Sequence, residues 1–369
     1  MTLTAISLFS GALGLDLGVE RAGFDIRVAV EIDKTACNTI RANRPELCLV
    51  EGDVSKLTGS ELLEFAGVDS GALTLLFGGA PCQSFSTAGR RQSLSDPRGN
   101  LVLEFIRLVD EMKPDYFILE NVRGILSAAI KHRPIVDRLD DRPNDPDEEQ
   151  GSVLRYMYEL FDRIGYVTHH RLLMAADFGV PQKRQRVFFI GSKNGSMVPF
   201  PNPTHSETPD LFTPKPWVTL KYAFENLEQT EVEAPGYTEE RLRYMRFVPQ
   251  GGYWRDLPKE LQKQALGGAY FATGGRVGFY RRLSLDAPAP TLVTSPDQKG
   301  TMMCHPTEDR PLSVAEYARI QQFPDNWVFT GSMSAKYRQI GNAVPVGLSY
   351  AVAHALREHI ENSKRPVGR

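Results

Sequence analysis

The first 32 residues alternate two short apolar runs with a glycine turn and an amphipathic run. The turn carries Gly11 and Gly14, and the second apolar run contains the acid Glu31 near its end. This order is typical of a nucleotide-binding α/β unit, because glycines let a ligand approach the backbone and the acid accepts hydrogen bonds from ribose hydroxyls. The glycine spacing differs from the dinucleotide fingerprint Gly-x-Gly-x-x-Gly, which disfavours a nicotinamide cofactor. The predicted strands span residues 5–9 and 26–32, and the predicted helix spans residues 15–22.

The same alternation continues along the chain. Apolar runs of strand length are separated by amphipathic segments of helix length. Further strands are predicted over residues 47–50, 72–77, 116–119, 167–173 and 186–190, and further helices over residues 33–42, 101–112, 153–164 and 347–358. The pattern predicts an α/β fold with an open sheet, in which ligands bind at the carboxyl ends of the strands.

Composition excludes some classes of protein. A chain of 369 residues can bury a large core and is expected to form two domains. No apolar run approaches the ~18 residues of a membrane helix, and the start of the chain lacks the positive region of a signal peptide. The four cysteines lack paired metal-ligand spacing, which predicts free thiols in a reducing cytoplasm and no metal site.

A candidate nucleophile follows the predicted strand over residues 72–77. The segment reads Gly78-Gly79-Ala80-Pro81-Cys82, and its glycines and proline end the strand and turn the backbone. Cys82 is thereby presented where α/β sheets place their ligands. A thiolate is the reactive form of cysteine and a strong nucleophile. Most free cysteines are small buried hydrophobes, but the Gly-Gly-x-Pro-Cys-Gln frame favours a nucleophile here.

This frame resembles the catalytic loop of the cytosine carbon-5 methyltransferases. Four other segments resemble motifs of the same family, occur in the family's order and together span nearly the whole chain: Phe9-Ser10-Gly11, Glu120-Asn121-Val122, Gln182-Lys183-Arg184-Gln185-Arg186 and Gly341-Asn342-Ala343-Val344-Pro345. The resemblance implies a bacterial-type DNA (cytosine-5-)-methyltransferase. Its fold would be a Rossmann-like, S-adenosylmethionine-dependent catalytic domain with a smaller, loop-rich target-recognition domain.

The resemblance also implies the cofactor S-adenosylmethionine, with S-adenosylhomocysteine as product. The residues it assigns to cofactor binding are Phe9, Ser10, Gly11, Gly14, Glu31, Ile32, Asp53, Val54, Gly79, Pro81, Leu101, Asn342 and Ala343. Asp53 would face the adenine amino group, although from the residues alone it also reads as a helix cap. The family usually has Phe-x-Gly-x-Gly-Gly, and Leu13 replaces one of these glycines.

The catalytic roles also follow from the resemblance. Cys82 would add to carbon 6 of cytosine, which makes carbon 5 reactive. Glu120 would be the acid near ring nitrogen 3, with a raised pKa. Asn121 would orient the nucleophile loop, and Arg186 would bind the oxygen at carbon 2 and fix Glu120. Arg184 would support the same pocket, with a phosphate contact as the alternative.

The second part of the chain is proline-rich, poorly periodic and basic. Nine Lys and Arg residues against two acids give residues 241–282 a net charge of +7. Cations interleaved with glycines and aromatics suit a surface that contacts both phosphates and bases. The predicted DNA-binding residues are Arg276, Arg281, Arg282 and Thr291 in this part, with Gln83 and Ser84 beside the nucleophile. The predicted domains span residues 1–191, residues 192–335 for target recognition, and residues 336–369 returning to the catalytic domain.

Two alternatives share this fold: an RNA cytosine-5 methyltransferase, and a non-catalytic DNA-binding relative that should have lost Cys82 or Glu120. The basic segment favours duplex DNA over RNA. We expect a cytoplasmic bacterial monomer, with a companion restriction endonuclease that acts independently.

Overall fold

The computed structural model describes residues 2–81, 100–131, 145–213, 215–228 and 231–363. Cys82, Gln83 and Ser84 lie outside the described residues. The strands are β1 Thr4–Leu8, β2 Asp25–Glu31, β3 Cys48–Glu51, β4 Leu75–Gly79, β5 Tyr116–Val122, β6 Val167–Met174, β7 Gln182–Lys183, β8 Gln185–Ser192, β9 His205–Ser206, β10 Lys215–Pro216 and β11 Ala289–Pro290. The helices are α1 Gly14–Arg21, α2 Lys34–Asn43, α3 Gly59–Ala66, α4 Asn100–Met112, α5 Ser152–Arg163, α6 Leu220–Phe224, α7 Glu239–Met245, α8 Lys259–Leu266, α9 Val314–Ile320, α10 Met333–Asn342 and α11 Val346–Ser363.

A seven-stranded sheet with the order β3-β2-β1-β4-β5-β8-β6 dominates the fold. Strands β1 to β5 pair in parallel, and β8 runs antiparallel to β5. Their apolar runs are buried on both faces, as expected for parallel strands covered by helices. The predicted α/β fold class is therefore confirmed, and the carboxyl ends of five parallel strands lie along one edge.

Aromatic side chains fix the centre of this sheet against its helices. Phe117 of β5 stacks on Phe161 of α5, with ring centroids 4.6 Å apart. It also meets Phe105 of α4 edge to face at 5.9 Å. All three rings are buried. Because β5 ends at Val122, this packing holds the end of the strand that carries Glu120 and Asn121.

The chain divides into two compact units. The first comprises Met1–Leu173, Gln185–Asn202 and Ser349–Arg369, and the second comprises Met174–Arg184 and Pro203–Leu348. These bounds differ from the predicted domains, since residues 174–184 and 336–348 belong to the second unit and residues 192–202 belong to the first. That the second unit recognises DNA stays a prediction. Within the described residues, no helix is both long enough and apolar enough to cross a membrane.

The second unit is built from short helices and long connections, as the poor periodicity predicts. Its basic segment folds around buried aromatic and sulfur-containing side chains, among them Tyr244, Trp254, Tyr280, Met302 and Cys304. Helix α9 begins with a capping box in which Ser313 and Glu316 satisfy each other's backbone N–H groups.

In the first unit, helix α11 packs on helix α1. Arg357 donates to the carbonyl oxygen of Ala22 at 2.9 Å, and the Ser349 hydroxyl donates to that of Gly14 at 3.4 Å. Arg21 of α1 lies over the ring of Tyr350, 4.6 Å from its centroid. These contacts hold the helix that begins directly after the glycine turn of β1.

Candidate active site

The predicted site residues of the first unit converge on one edge of the sheet. Glu31 ends β2, Gly79 ends β4, and Glu120 lies near the end of β5. In the parallel ladders Gly79 is paired with Glu120, and Leu8 of β1 is paired with both Val30 and Gly78. The cofactor candidates and the catalytic candidates of this unit therefore share the edge where α/β sheets bind ligands.

The turn after β1 runs through left-handed backbone conformations. Phe9, Gly11 and Leu13 have φ angles of 56°, 54° and 67°. Leu13 thus has a left-handed backbone, which costs an L-residue roughly 1–2 kcal/mol. Its side chain is buried, which offsets that strain. A Cβ atom on Gly11 would meet nothing within 4 Å, so the space beside the turn is open.

Three backbone N–H groups hold the Glu31 carboxylate. Gly11 donates to Oε2 at 2.7 Å, and Ile32 and Asp33 donate to Oε1 at 2.9 Å and 2.7 Å. Burial raises the pKa of Glu31, and these hydrogen bonds oppose the rise. A carboxylate fixed in this way joins the glycine turn to the end of β2, where it can accept from the two hydroxyls of a ribose.

The neighbouring cofactor candidates differ in their surroundings. Ile32 exposes 66% of its surface, unusual for isoleucine and consistent with an apolar wall for a planar group. Asp53 accepts from the Ser55 N–H at 3.0 Å as a helix cap, and the Ser55 hydrogen bonds lower its pKa. Val54 is buried in the core. Asp53 is therefore a cap in this structure, as one of the two sequence interpretations expected.

Ser7 of β1 and Asp16 of α1 flank the same turn along the chain, and the sequence analysis did not single them out. Asp16 is only 3% exposed, and Ser7 is also buried. The Ser7 and Ser10 hydroxyls are 2.8 Å apart. Neither carboxyl oxygen of Asp16 makes a hydrogen bond of normal geometry. The available signal was an acid placed between two leucines in an otherwise apolar helix start.

Glu120 and Arg186 form an ion pair at the end of β5. Arg186 Nε lies 2.8 Å from Glu120 Oε1, and both side chains are largely buried. Burial lowers the pKa of Arg186, and the Glu120 charge opposes that shift. The raised pKa predicted for Glu120 stays a prediction. The predicted contact between these two residues is thus present in the structure.

Gly79 leaves the space that Glu120 uses. A Cβ atom at Gly79 would lie 2.8 Å from Glu120 Oε2, closer than ordinary contact. Next along the chain, the Asn121 amide donates to the Ala80 carbonyl oxygen at 3.4 Å. Asn121 therefore holds the segment that leads to Cys82, which fits its predicted role in orienting that loop. Pro81, the last described residue before the loop, is exposed.

Arg184 belongs to the second unit and is fully buried there. It donates to the carbonyl oxygens of Leu292 at 3.2 Å, Gly341 at 2.9 Å and Asn342 at 3.5 Å. These contacts join three distant segments of the second unit. They indicate a structural role for Arg184, and its predicted support of the catalytic pocket and the alternative phosphate contact stay predictions.

Arg282 is similarly enclosed, with 6% of its surface exposed. All five of its N–H donors are used, on the carbonyl oxygens of Met245, Val248, His305 and Glu308 and on the carboxylate of Asp309. No donor remains for a base edge or a phosphate. The geometry therefore argues against the predicted DNA contact of Arg282, whose guanidinium instead organises the interior of the second unit.

Arg276 and Arg281 are less enclosed. Arg276 lies over the Trp254 ring, 5.1 Å from its centroid, and donates to the carbonyl oxygens of Ala269, Tyr270 and Gly274. Arg281 donates to the Met302 carbonyl oxygen at 3.1 Å, and burial lowers its pKa. Thr291 is exposed, and its hydroxyl donates to the Lys183 carbonyl oxygen at 2.9 Å. Their DNA contacts stay predictions.

The match to known proteins extends over the whole of this architecture. The model of the family described as C-5 cytosine-specific DNA methylase matches residues 3–358. The chain belongs to this family. The predicted enzyme class, a DNA cytosine carbon-5 methyltransferase, is thereby confirmed.

Relatives of this methylase are similar over most of their length. The Type II methyltransferase M.Eco47II of Escherichia coli is 40% identical over 359 residues, which cover 96% of this chain and 78% of the relative. The Type II methyltransferase M.Sau96I of Staphylococcus aureus is 37% identical over 352 residues, with 95% and 75% covered. A solved structure of an E. coli prophage protein, provisionally assigned as a DNA modification methyltransferase, has a TM-score of 0.66 and 26% identity, covering 98% of this chain and all of its own.

Some predicted site residues of the methylase remain untested. Leu101, on α4, is half-buried in the first unit. Asn342 is exposed and Ala343 is half-buried in the second unit. Their roles in cofactor binding stay predictions, as do the roles of Cys82, Gln83 and Ser84 in the part of the chain that the structure does not describe.

Proposed function

We propose that this methylase transfers the methyl group of S-adenosylmethionine to carbon 5 of a flipped-out cytosine in a specific duplex DNA sequence, through a covalent bond to Cys82. The observation that carries this proposal is the Glu120–Arg186 ion pair, because Glu120 is paired in the sheet with Gly79 of the segment that leads to Cys82. The Glu31 carboxylate, held by backbone N–H groups, lies at the same sheet edge. An acid–cation pair and a ribose acceptor on one edge suit a reaction between a bound base and a bound nucleoside.

The residues after β1 and β2 fit the nucleoside part of this cofactor. Glu31 presents a carboxylate fixed by three N–H groups, Gly11 leaves open space, and Ile32 offers an exposed apolar surface. When bound, S-adenosylmethionine supplies an electrophilic methyl group on a sulfonium. The other residues of the candidate set are Phe9, Ser10, Gly14, Asp53, Val54, Gly79, Pro81, Leu101, Asn342 and Ala343.

The chain's own residues prepare the base. The Cys82 thiolate forms a bond to carbon 6, which moves electron density to carbon 5 and ring nitrogen 3. Arg186 would hold the oxygen at carbon 2 and keep Glu120 directed at nitrogen 3, where a proton on Glu120 neutralises the developing charge. After methylation, loss of the carbon-5 proton and departure of the Cys82 thiolate restore the aromatic ring.

A base inside a duplex cannot reach these groups. The target must leave the stack, at a cost of roughly a few kcal/mol that contacts in the pocket offset. The second unit carries the basic segment, and we assign it the duplex contacts. We further propose a monomer acting on DNA in a bacterial cytoplasm, with a separate endonuclease that recognises the same sequence. Analytical ultracentrifugation checks the monomer.

Transfer of tritiated methyl groups tests this function directly. The purified protein is incubated with labelled S-adenosylmethionine and with duplex DNA, single-stranded DNA or RNA, and the product nucleosides are separated. We expect 5-methylcytosine in duplex DNA only, and no product with Cys82→Ala. Cys48→Ala is the matched control, since Cys48 is an exposed cysteine at the start of β3 and its loss should leave transfer unchanged. Label in RNA alone, or in duplex DNA with Cys82→Ala, would contradict the proposal.

A further inference from the structure

Two glutamines are fully buried in the second unit and contact each other through their side-chain amides. Gln182 belongs to β7, and Gln321 directly follows α9. Burying an amide is costly unless its polar atoms are hydrogen-bonded. Gln182 Nε2 donates to Gln321 Oε1 at 2.9 Å. Because 139 positions separate the two residues, the pair connects distant parts of the second unit.

The roles of donor and acceptor are fixed at both ends of this amide pair. At one end the backbone N–H of Leu292 can only donate, and it donates to Gln182 Oε1 at 3.0 Å. At the other end two backbone carbonyl oxygens can only accept, and Gln321 Nε2 donates to those of Ile340 at 2.7 Å and Ala343 at 3.1 Å. Each amide therefore has one orientation that satisfies all of these contacts.

The amide pair holds the backbone beside two sets of candidate contact residues. One end directly follows Thr291, a candidate DNA contact. The other end includes Ala343, and both Ala343 and Asn342, which ends α10, are candidates for cofactor binding. The two backbones pack directly on each other at Gly341, where a Cβ atom would lie 2.6 Å from the Val293 carbonyl oxygen. A shift of one segment is therefore felt by the other.

We propose that Gln182 and Gln321 are positioning residues, which place the DNA contact and the cofactor contacts of the second unit relative to each other. Gln182 fixes the backbone that presents Thr291. Gln321 fixes the end of α10 that presents Asn342 and Ala343, and it also holds Gln182. The inference rests on the proposed function, because it takes Thr291 as a duplex contact and Ala343 as a cofactor contact.

Equilibrium binding by methionine variants tests this placement, because methionine is similar in length to glutamine but lacks the amide. The probes are S-adenosylhomocysteine and a duplex that the wild type methylates, whose site is found by bisulfite sequencing of plasmid DNA methylated in vitro. In Gln182→Met the dissociation constant of the duplex should rise between about 3-fold and about 30-fold, and that of S-adenosylhomocysteine should stay within about twofold. In Gln321→Met both dissociation constants should rise by about 3-fold to 30-fold. The value of kcat at saturation should stay within about threefold, since the catalytic candidates Glu120 and Arg186 belong to the first unit.

Gln322→Met is the matched control. Gln322 also joins two segments of the second unit, since it donates to the Gly179 carbonyl oxygen and accepts from the Gly347 N–H, both at 3.0 Å. Neither segment end is a candidate contact, so both dissociation constants should stay within about twofold of the wild type. A merely structural role of the amide pair would lower the folded fraction, and with it the apparent kcat, while leaving both dissociation constants unchanged.

The outcomes separate the placement from the proposed function. Unchanged duplex binding in Gln182→Met, an equal rise in Gln322→Met, or unchanged S-adenosylhomocysteine binding in Gln321→Met would each overturn the positioning role. Where circular dichroism shows that Gln321→Met does not fold, the comparison of Gln182→Met with Gln322→Met decides. Absence of binding of either probe by the wild type would instead overturn the proposed function.

Discussion

Replacing Gly79 by alanine should damage catalysis without damaging the fold. The added Cβ atom would lie 2.8 Å from Glu120 Oε2, whereas ordinary contact begins at 3.4 Å, so the carboxylate must move by at least about 0.6 Å. That oxygen is at the end of a side chain and can move. Its partner Arg186, at 2.8 Å from the other oxygen, would lose its alignment.

The size of the effect follows from this displacement. A misplacement of about 1 Å in a catalytic group can cost about 100-fold in rate. We therefore expect Gly79→Ala to lower kcat between about 10-fold and about 100-fold, or about 1.4–2.7 kcal/mol. The free energy of unfolding should change by less than about 1 kcal/mol, since only a flexible side-chain end is displaced.

The assay is methyl transfer to duplex DNA under saturating cofactor, with urea unfolding measured in parallel. Two other glycine variants serve as controls. A Cβ atom on Gly236 would meet nothing within 4 Å, so Gly236→Ala should change neither quantity. A Cβ atom on Gly78 would lie 2.4 Å from the Leu8 carbonyl oxygen, so Gly78→Ala should destabilise the sheet itself. Wild-type kcat in Gly79→Ala would refute the assignment of Glu120.

Three further predictions concern stability. Arg282→Ala should lower the free energy of unfolding by about 3–5 kcal/mol, because it leaves buried acceptors without a hydrogen-bond donor. Replacement of the exposed Arg255 by alanine should change that free energy by less than about 0.5 kcal/mol. Equal effects of the two substitutions in urea denaturation would contradict the buried role of Arg282. Leu13→Gly relieves roughly 1–2 kcal/mol of backbone strain but removes a buried leucine side chain that contributes about 2–5 kcal/mol. Thermal unfolding of this variant should therefore occur at a lower temperature. A gain in stability would show that the backbone strain is the larger effect. Burial raises the pKa of Asp16 to about 7. Folded Asp16 keeps a proton that the unfolded chain loses near pH 4, so its contribution to the free energy of unfolding should fall by about 2–3 kcal/mol between pH 5 and pH 8. The difference between wild type and Asp16→Asn in urea unfolding measures this contribution. A difference that stays constant with pH would refute the prediction.

The sheet could be predicted from the sequence because its strands are continuous apolar runs. The predicted strand over residues 116–119 became β5, Tyr116–Val122, and the predicted helix over residues 101–112 became α4, Asn100–Met112. The predicted strand ended three residues too early because Glu120 and Asn121 are polar, although both continue the pairing of β5 with β8. The periodicity of apolar residues does not identify polar residues that belong to a strand.

The arginines could not be assigned from the sequence. Charge and neighbouring residues are the same for a guanidinium that meets DNA and for one that satisfies buried carbonyl groups. Arg282 was interpreted as a DNA contact, but segments 23 to 37 residues away supply its partners. Asp16 was overlooked for the same reason, since its burial arises from the tertiary fold. Tertiary contacts of this kind leave no local pattern.

The most direct test of the central claim is a covalent trap. Duplex DNA carrying 5-fluorocytosine in the recognised site blocks loss of the group at carbon 5, so the attacking cysteine stays attached and can be mapped by mass spectrometry. Burial raises the pKa of Cys37 and of Cys304 to about 11, which makes both poor nucleophiles at neutral pH. We predict a single adduct at Cys82. An adduct at Cys37, Cys48 or Cys304, or methylation of normal duplexes without any adduct on the fluorinated one, would contradict the account.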